Sequence, residues 1–186
     1  ESIPDCHLEV ADFTGGVVWG AGKMFAKILC PVIKDSIAGR TILELGSGTG
    51  IAGLASALCG AQVLLTDLPA AIPLLEKNAA RNMEAIQKNH GSVNIQALDY
   101  RDVGFDSGFE NVDLVIGTDV VWRMDQCQLL AKWCSGCGCP VLLVYVPRWP
   151  WLNDCLLDSF CSFGKTPSML LGDKSPLDNA NMLYLP

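Results

Sequence analysis

No uninterrupted apolar run in this 186-residue chain approaches the roughly 20 residues needed to cross a bilayer, and the first residues lack the charged-then-apolar order of a secretory signal. A soluble intracellular protein is expected, in the cytoplasm with the nucleus as the alternative. Basic residues are scarce: 13 Lys and Arg stand against 20 Asp and Glu, a formal net charge of -7. That balance argues against a nucleic-acid partner, whose binding leans on clustered cations that release counterions, and it favours basic partners. The two histidines, His7 and His90, have no nucleophile or ligand beside them, so no hydrolytic triad is visible.

Internal repeats, linkers and low-complexity stretches are also missing. One domain, 1–186, is expected, large enough to bury its core without disulfides or metal. The nine cysteines lack framework spacing and read as reduced thiols. Cys134, Cys137 and Cys139, with Cys127 as a fourth candidate, offer one knuckle-like gap but no second pair, so no metal is expected.

What is present begins with Ile42-Leu43-Glu44-Leu45-Gly46-Ser47-Gly48-Thr49-Gly50. An apolar run of this kind reads as a buried parallel strand, and the glycines let the backbone turn sharply and approach a ligand before a helix over Ile51–Cys59. The following strand, Ala61 to Asp67, ends in a carboxylate about twenty residues after the first glycine, the spacing at which an acid reaches ribose hydroxyls. Gly48, Gly50 and Gly53 also satisfy the dinucleotide fingerprint, so a nicotinamide-dependent oxidoreductase stays open. Glu44 weighs against it. A carboxylate just before the glycines repels a pyrophosphate and suits a ligand with positive charge, such as S-adenosylmethionine with its ammonium and sulfonium.

Periodicity extends the pattern. A helix is predicted over Gly22–Lys34, with Met24, Phe25, Ile28, Leu29 and Val32 on its apolar side, and another after Pro69 through Ile72, Leu75, Ala79 and Met83. Further strands are predicted at Ser92–Leu98, Asn111–Thr118 and Pro140–Val146, with a helix over Gln126–Trp133 and a closing hairpin from Ser168–Leu171 and Asn181–Leu185. Alternating strands and helices imply an α/β fold: a doubly wound, mostly parallel seven-stranded sheet with helices on both faces and ligands at the carboxyl ends of its strands. The expected segments are an N-terminal helical part (about 1–38), a cofactor-binding core (about 39–146) and a C-terminal substrate-side part (about 147–186).

Leu43 to Gly50 resembles the first motif of the seven-strand S-adenosylmethionine-dependent methyltransferases. With Val18-Trp19-Gly20-Ala21-Gly22, Thr66-Asp67-Leu68, Leu98-Asp99-Tyr100, Thr118-Asp119-Val120-Val121-Trp122 and Tyr145-Val146-Pro147-Arg148 in the same order, the chain resembles the methyltransferase-like protein-lysine methyltransferases from about Val17 to Leu185. The resemblance implies a cofactor site of Trp19, Glu44, Gly46, Ser47, Gly48, Thr49, Asp67, Asp99, Tyr100 and Thr118, with Glu44 near the methionine portion and Tyr100 where the family usually has tryptophan against adenine. Asp119 and Trp122 are the implied catalytic pair, although the family has tyrosine where Trp122 stands. Trp19, Trp122 and Tyr145 are candidate walls around the amine. Trp149 and Trp151 either form a lip over a substrate channel or seal a loop onto the core.

The expected function is therefore S-adenosylmethionine-dependent protein-lysine N-methylation by a monomer, with a lysine-bearing protein as partner and neither nucleic acid nor membrane involved. A small-molecule or nucleobase methyltransferase, the oxidoreductase and a non-catalytic cofactor-binding partner protein remain the alternatives.

Overall fold

Residues whose side chains point alternately to opposite faces dictate the layering. The computed structural model describes residues 6–102, 109, 111–171 and 181–186. Its strands are β1 (Thr41–Leu45), β2 (Gln62–Asp67), β3 (Ser92–Ala97), β4 (Leu114–Thr118), β5 (Val141–Tyr145), β6 (Ser168–Leu171) and β7 (Asn181–Leu185). They form one seven-stranded sheet in the order β3-β2-β1-β4-β5-β7-β6. The first five pair in parallel, and β7 runs antiparallel between β5 and β6. This is the doubly wound sheet expected from the sequence.

Ile42, Val63, Leu65, Ile116, Leu142 and Val144 face one apolar cluster, shared with α2 (Cys30–Ile37), α3 (Ile51–Leu58) and α4 (Ile72–Lys88). Their neighbours Leu43, Leu45, Val115, Val141, Leu143 and Tyr145 face a second cluster, packed by α5 (Met124–Ser135) and α6 (Leu152–Ser162). Both sides of β1, β4 and β5 are covered, which explains their nearly unbroken apolar sequences. Because β2 and β4 flank β1, the chain leaves β1 in one direction and β4 in the other, and a crevice opens at their carboxyl ends.

The first helix differs from the expected Gly22–Lys34. It starts at Gly20, runs as α1 (Gly20–Met24), widens into a π-helical turn at Phe25–Leu29 and continues as α2. The extra residue in that turn rotates the apolar stripe. Phe25 is buried as expected, but Val32 is 78% exposed and Cys30 and Ile37 face the core instead. The stretch Thr14–Ile37 has the length and hydropathy of a bilayer span, and about a third of its residues are buried within the domain. Residues 6–13, expected within the helical segment, form a strap without regular secondary structure.

Helix α6 has no counterpart in the sequence reading. Its core contacts, Leu152, Leu156 and Phe160, recur every four residues, a signal masked by the neighbouring Asp154, Asp158 and cysteines. The closing hairpin forms as expected, with a register irregularity between Met169 and Leu171.

Candidate active site

Gly46, Gly48 and Gly50 carry positive φ angles of 58°, 56° and 81°, so the chain after β1 turns through conformations that side chains resist. The requirement is sharpest at Gly48, where a Cβ would lie 2.8 Å from the Gly15 carbonyl oxygen. Ser47 fastens the turn to β2: its N–H donates to Thr66 O (2.9 Å), and its hydroxyl oxygen accepts from Thr66 N (3.1 Å). Asp67 completes the arrangement. One carboxylate oxygen accepts from Gly48 N (2.7 Å) and the other from Leu68 N (2.6 Å), so the acid ending β2 is tied to the glycine loop. Burial raises its proton affinity, opposed by these two N–H groups. Thr49 is buried beside it, and its carbonyl accepts from Asn78.

Glu44 is fully buried and reaches α3 from below the loop: its Oε2 accepts from Gly53 N at 3.0 Å, satisfying one of the free amides of that helix start. A Cβ at Gly53 would sit 2.6 Å from that oxygen and 2.2 Å from Leu65 Cδ2, so any larger residue there would displace the buried Glu44 and Leu65 side chains. Desolvation pushes the Glu44 carboxyl up to about 8 despite the contacts with Ser47 and Gly53. Glu44, expected near the methionine portion of a cofactor, thus sits beneath the glycine loop and is tied to the first turn of α3.

Sequence reasoning missed Asn78 and Asn82, one turn apart on α4. Asn82 exchanges two hydrogen bonds with the backbone of His7 (2.9 and 2.8 Å), and Asn78 does the same with Glu9 (2.6 and 3.0 Å). The two amides act as the partner strand of the strap. Asn78 also donates to Thr49 O at 3.0 Å, so one buried side chain joins the strap, α4 and the glycine loop. Asn78→Ala leaves several buried backbone groups unpaired and is expected to destabilise the protein by about 1–3 kcal/mol, with Asn78→Asp intermediate, as denaturant melts will show.

Across the crevice, Asp119 follows β4 in a left-handed conformation (φ 53°) that aspartate tolerates better than most residues. Its side chain is only 5% exposed. Oδ1 accepts from Val146 N (2.9 Å), while Oδ2 accepts from Ala21 N (3.4 Å) and faces the Arg148 guanidinium at 3.6 Å. The same guanidinium lies 4.2 Å from the centroid of the Trp19 ring. Trp19, half-buried at the start of α1, donates from its indole to Thr14 O (3.0 Å). Thr118 lies next to this junction, its hydroxyl 3.5 Å from where a Gly22 Cβ would stand. Asp119, expected to orient the incoming amine, also joins the ends of β4 and β5 to α1 through these contacts.

Trp122 presents its ring to solvent at 46% exposure, while Gln126 holds the backbone amides of Trp122 and Arg123 (3.0 and 3.1 Å). Tyr100 is half-buried and donates to Val120 O at 3.3 Å, and Val120 in turn lies against Gly46. Asp99 is engaged by Arg101 through a forked pair that holds its carboxyl below the ordinary range. Tyr145, expected as a wall, is buried on the α5/α6 face, where it lines a small apolar gap with Gly117, Val120, Val121, Leu130 and Leu156. The tryptophan pair divides, Trp151 packing on the core and Trp149 standing 52% exposed. Among the described residues no three His, Cys, Asp or Glu side chains converge as a metal site would require. Cys134 and Cys137 are buried where α5 ends.

A family model described as lysine methyltransferase matches residues 6–140, a span that takes in the strap, the glycine loop, Asp67 and the Asp119–Trp122 segment. The chain belongs to the lysine methyltransferase family. It is 33% identical over 118 residues to EEF1A lysine methyltransferase 3 of Xenopus tropicalis, covering 62% of this chain and 49% of that protein. With protein N-lysine methyltransferase METTL21A of Danio rerio it shares 33% over 112 residues, 57% of this chain and 47% of that one. The chain spans about half the length of these curated relatives. Among solved structures, magnesium protoporphyrin IX methyltransferase of Synechocystis, with bound S-adenosylmethionine, superposes with a TM-score of 0.65 at 15% identity, over 89% of this chain and 79% of that one. At that identity the shared property is the class I methyltransferase fold. Arg148 and α6 lie beyond the span matched by the family model.

Proposed function

We propose that this chain is an S-adenosylmethionine-dependent protein-lysine N-methyltransferase. The observation that carries the reading is the glycine loop locked to the Asp67 carboxylate at the carboxyl end of β2, in a chain of the lysine methyltransferase family. The residues fit such a cofactor: the bare backbone of Gly46, Gly48 and Gly50 permits close approach, and Asp67 lies at the strand end where ribose hydroxyls are bound in doubly wound sheets. Gly46, Ser47, Gly48, Thr49 and Asp67 would hold it, with Tyr100 on the β3 side and Trp19, Thr118 and the strap on the other. Asp99, paired with Arg101, shapes the rim, and Glu44 supports the loop from beneath.

S-adenosylmethionine, when bound, supplies an electrophilic methyl group. The chain's own task is to bring a neutral amine into line with it. An unperturbed lysine has a pKa near 10.4, so deprotonating it at pH 7 costs about 4–5 kcal/mol, a cost that desolvation against aromatic faces offsets. Trp122 offers such a face at the mouth, and Trp19 another on the inner side. Asp119 acts mainly by fixing the ends of β4, β5 and α1 around that mouth, with its charge balanced by Arg148. A lysine-bearing protein is the partner, and EEF1A, in the name of the Xenopus relative, is the first to offer. A cytoplasmic setting, with the nucleus as alternative, belongs to the same proposal and is supported by nine free cysteines; imaging of tagged protein tests it.

Calorimetry with S-adenosylhomocysteine tests the cofactor half. Asp67→Ala removes a charged acceptor and loosens Gly48, so binding is expected to weaken roughly 10- to 100-fold, equivalent to about 1.5–3 kcal/mol. Unchanged affinity in a folded variant would sink the assignment. Transfer of a labelled methyl to protein in a cell extract, with the label recovered on lysine, tests the other half.

A further inference from the structure

Two thiols that take no part in the crevice touch each other on the far side of α3. Cys30 is fully buried as the first residue of α2, directly after the π-helical turn, and Cys59 is half-buried at the carboxyl end of α3. Their sulfurs are 3.5 Å apart, with a hydrogen bond between them. Closing from 3.5 Å to the roughly 2.05 Å of an S–S bond requires the sulfurs to approach by about 1.5 Å. We propose that Cys30 and Cys59 are a reversible redox modification site, closing to a disulfide under hydroperoxide.

Chemical asymmetry within the pair supplies the order of events. Cys59 is the solvent-reachable partner; its hydrogen bond with Cys30 and the nearby Lys34 ammonium favour its thiolate, against its partial burial and the Asp35 carboxylate. Cys30 is held as the thiol by its hydrogen bond with Cys59 and by burial. The Cys59 thiolate attacks a peroxide oxygen and breaks the O–O bond, giving a sulfenic acid and hydroxide. The Cys30 sulfur then displaces the sulfenic oxygen, which leaves as water with the thiol proton. Two thiols are oxidised by two electrons, and one peroxide is reduced. The cross-link ties the end of α3, which begins at the glycine loop, to the helix whose first turn contacts Asp119.

Cys127 with Cys155 and Cys137 with Cys139, on the other face of the sheet, are the other thiol pairs that would compete for oxidant, and Cys6 lies near Cys30. The test is to expose reduced protein to one equivalent of hydrogen peroxide, block remaining thiols by alkylation and map unreduced peptides by mass spectrometry. The expected product joins the Cys30 and Cys59 peptides, is lighter than their sum by two hydrogens, and disappears with dithiothreitol. Oxidised wild type should melt several degrees higher than reduced protein, a gain absent in Cys59→Ser. In Cys30→Ala, which removes both the resolving thiol and the hydrogen bond that favours the Cys59 thiolate, Cys59 should oxidise more slowly and stop at a sulfenic acid captured by dimedone. Recovery of both thiols alkylated while another pair is linked overturns the proposal, as does Cys59 sulfinic acid without a cross-link in the wild-type protein.

Discussion

Asp119→Ala is expected to cost about 3 kcal/mol of folding stability before any question of methyl transfer arises. The substitution leaves Val146 N and Ala21 N without an acceptor and deprives Arg148 of its carboxylate, groups whose loss costs about 1–3 kcal/mol where they are buried. It also places alanine in a left-handed conformation, worth about 1 kcal/mol or more. For a domain of this size the melting temperature should fall by roughly 6–12 °C. Asp119→Asn retains an acceptor and a residue type that accepts this conformation, so it should melt within a few degrees of wild type. The pair therefore separates architecture from chemistry. If the asparagine variant is stable and binds S-adenosylhomocysteine normally but transfers methyl more than about tenfold more slowly, the negative charge acts during the reaction. If its rate is unchanged, Asp119 is a positioning residue. An alanine variant as stable as wild type would show that the clasp does not hold β4, β5 and α1 together.

Glu44 makes stability fall as the solution becomes more alkaline. Burial raises its folded-state pKa to about 8 from an ordinary 4.5, so between those values the folded protein keeps a proton that the unfolded chain has released. Unfolding then releases protons, and stability declines through this window by at most about 5 kcal/mol, levelling off above pH 8 where both states are ionised. Below about pH 4.5 both states are protonated and this residue contributes no slope. Glu44→Gln retains an acceptor for Gly53 and cannot ionise; it should flatten the curve and be relatively more stable at pH 8.5 than at pH 5.5. Denaturant titrations across that range decide the matter, and a wild-type stability independent of pH would mean that the buried carboxyl is not held protonated.

Local pattern determined the sheet and the cofactor loop. Alternating strands and helices, a glycine turn after β1 and an acid ending β2 are adjacent in the sequence, and close backbone approach leaves a readable requirement for glycine. The positions of Asp67, Tyr100 and Trp122 at the ends of β2, β3 and β4 follow from the same alternation. Tertiary structure decided the partners of each side chain. One added residue in a π-helical turn moved the buried stripe from Val32 to Cys30 and Ile37, a shift that 3.6-residue periodicity does not register. Asn78 and Asn82 look like ordinary polar helix positions until a strap 69 and 75 residues away in sequence needs backbone partners. Asp119 and Glu44 were recognisable as important acids, but their roles as clasp and loop support depend on amides from distant elements. Tyr145 shows the converse. Its place at a strand end suggested the crevice, yet the two faces of a strand lie on opposite sides of the sheet, and only the packing of α5 and α6 determined which face it joined.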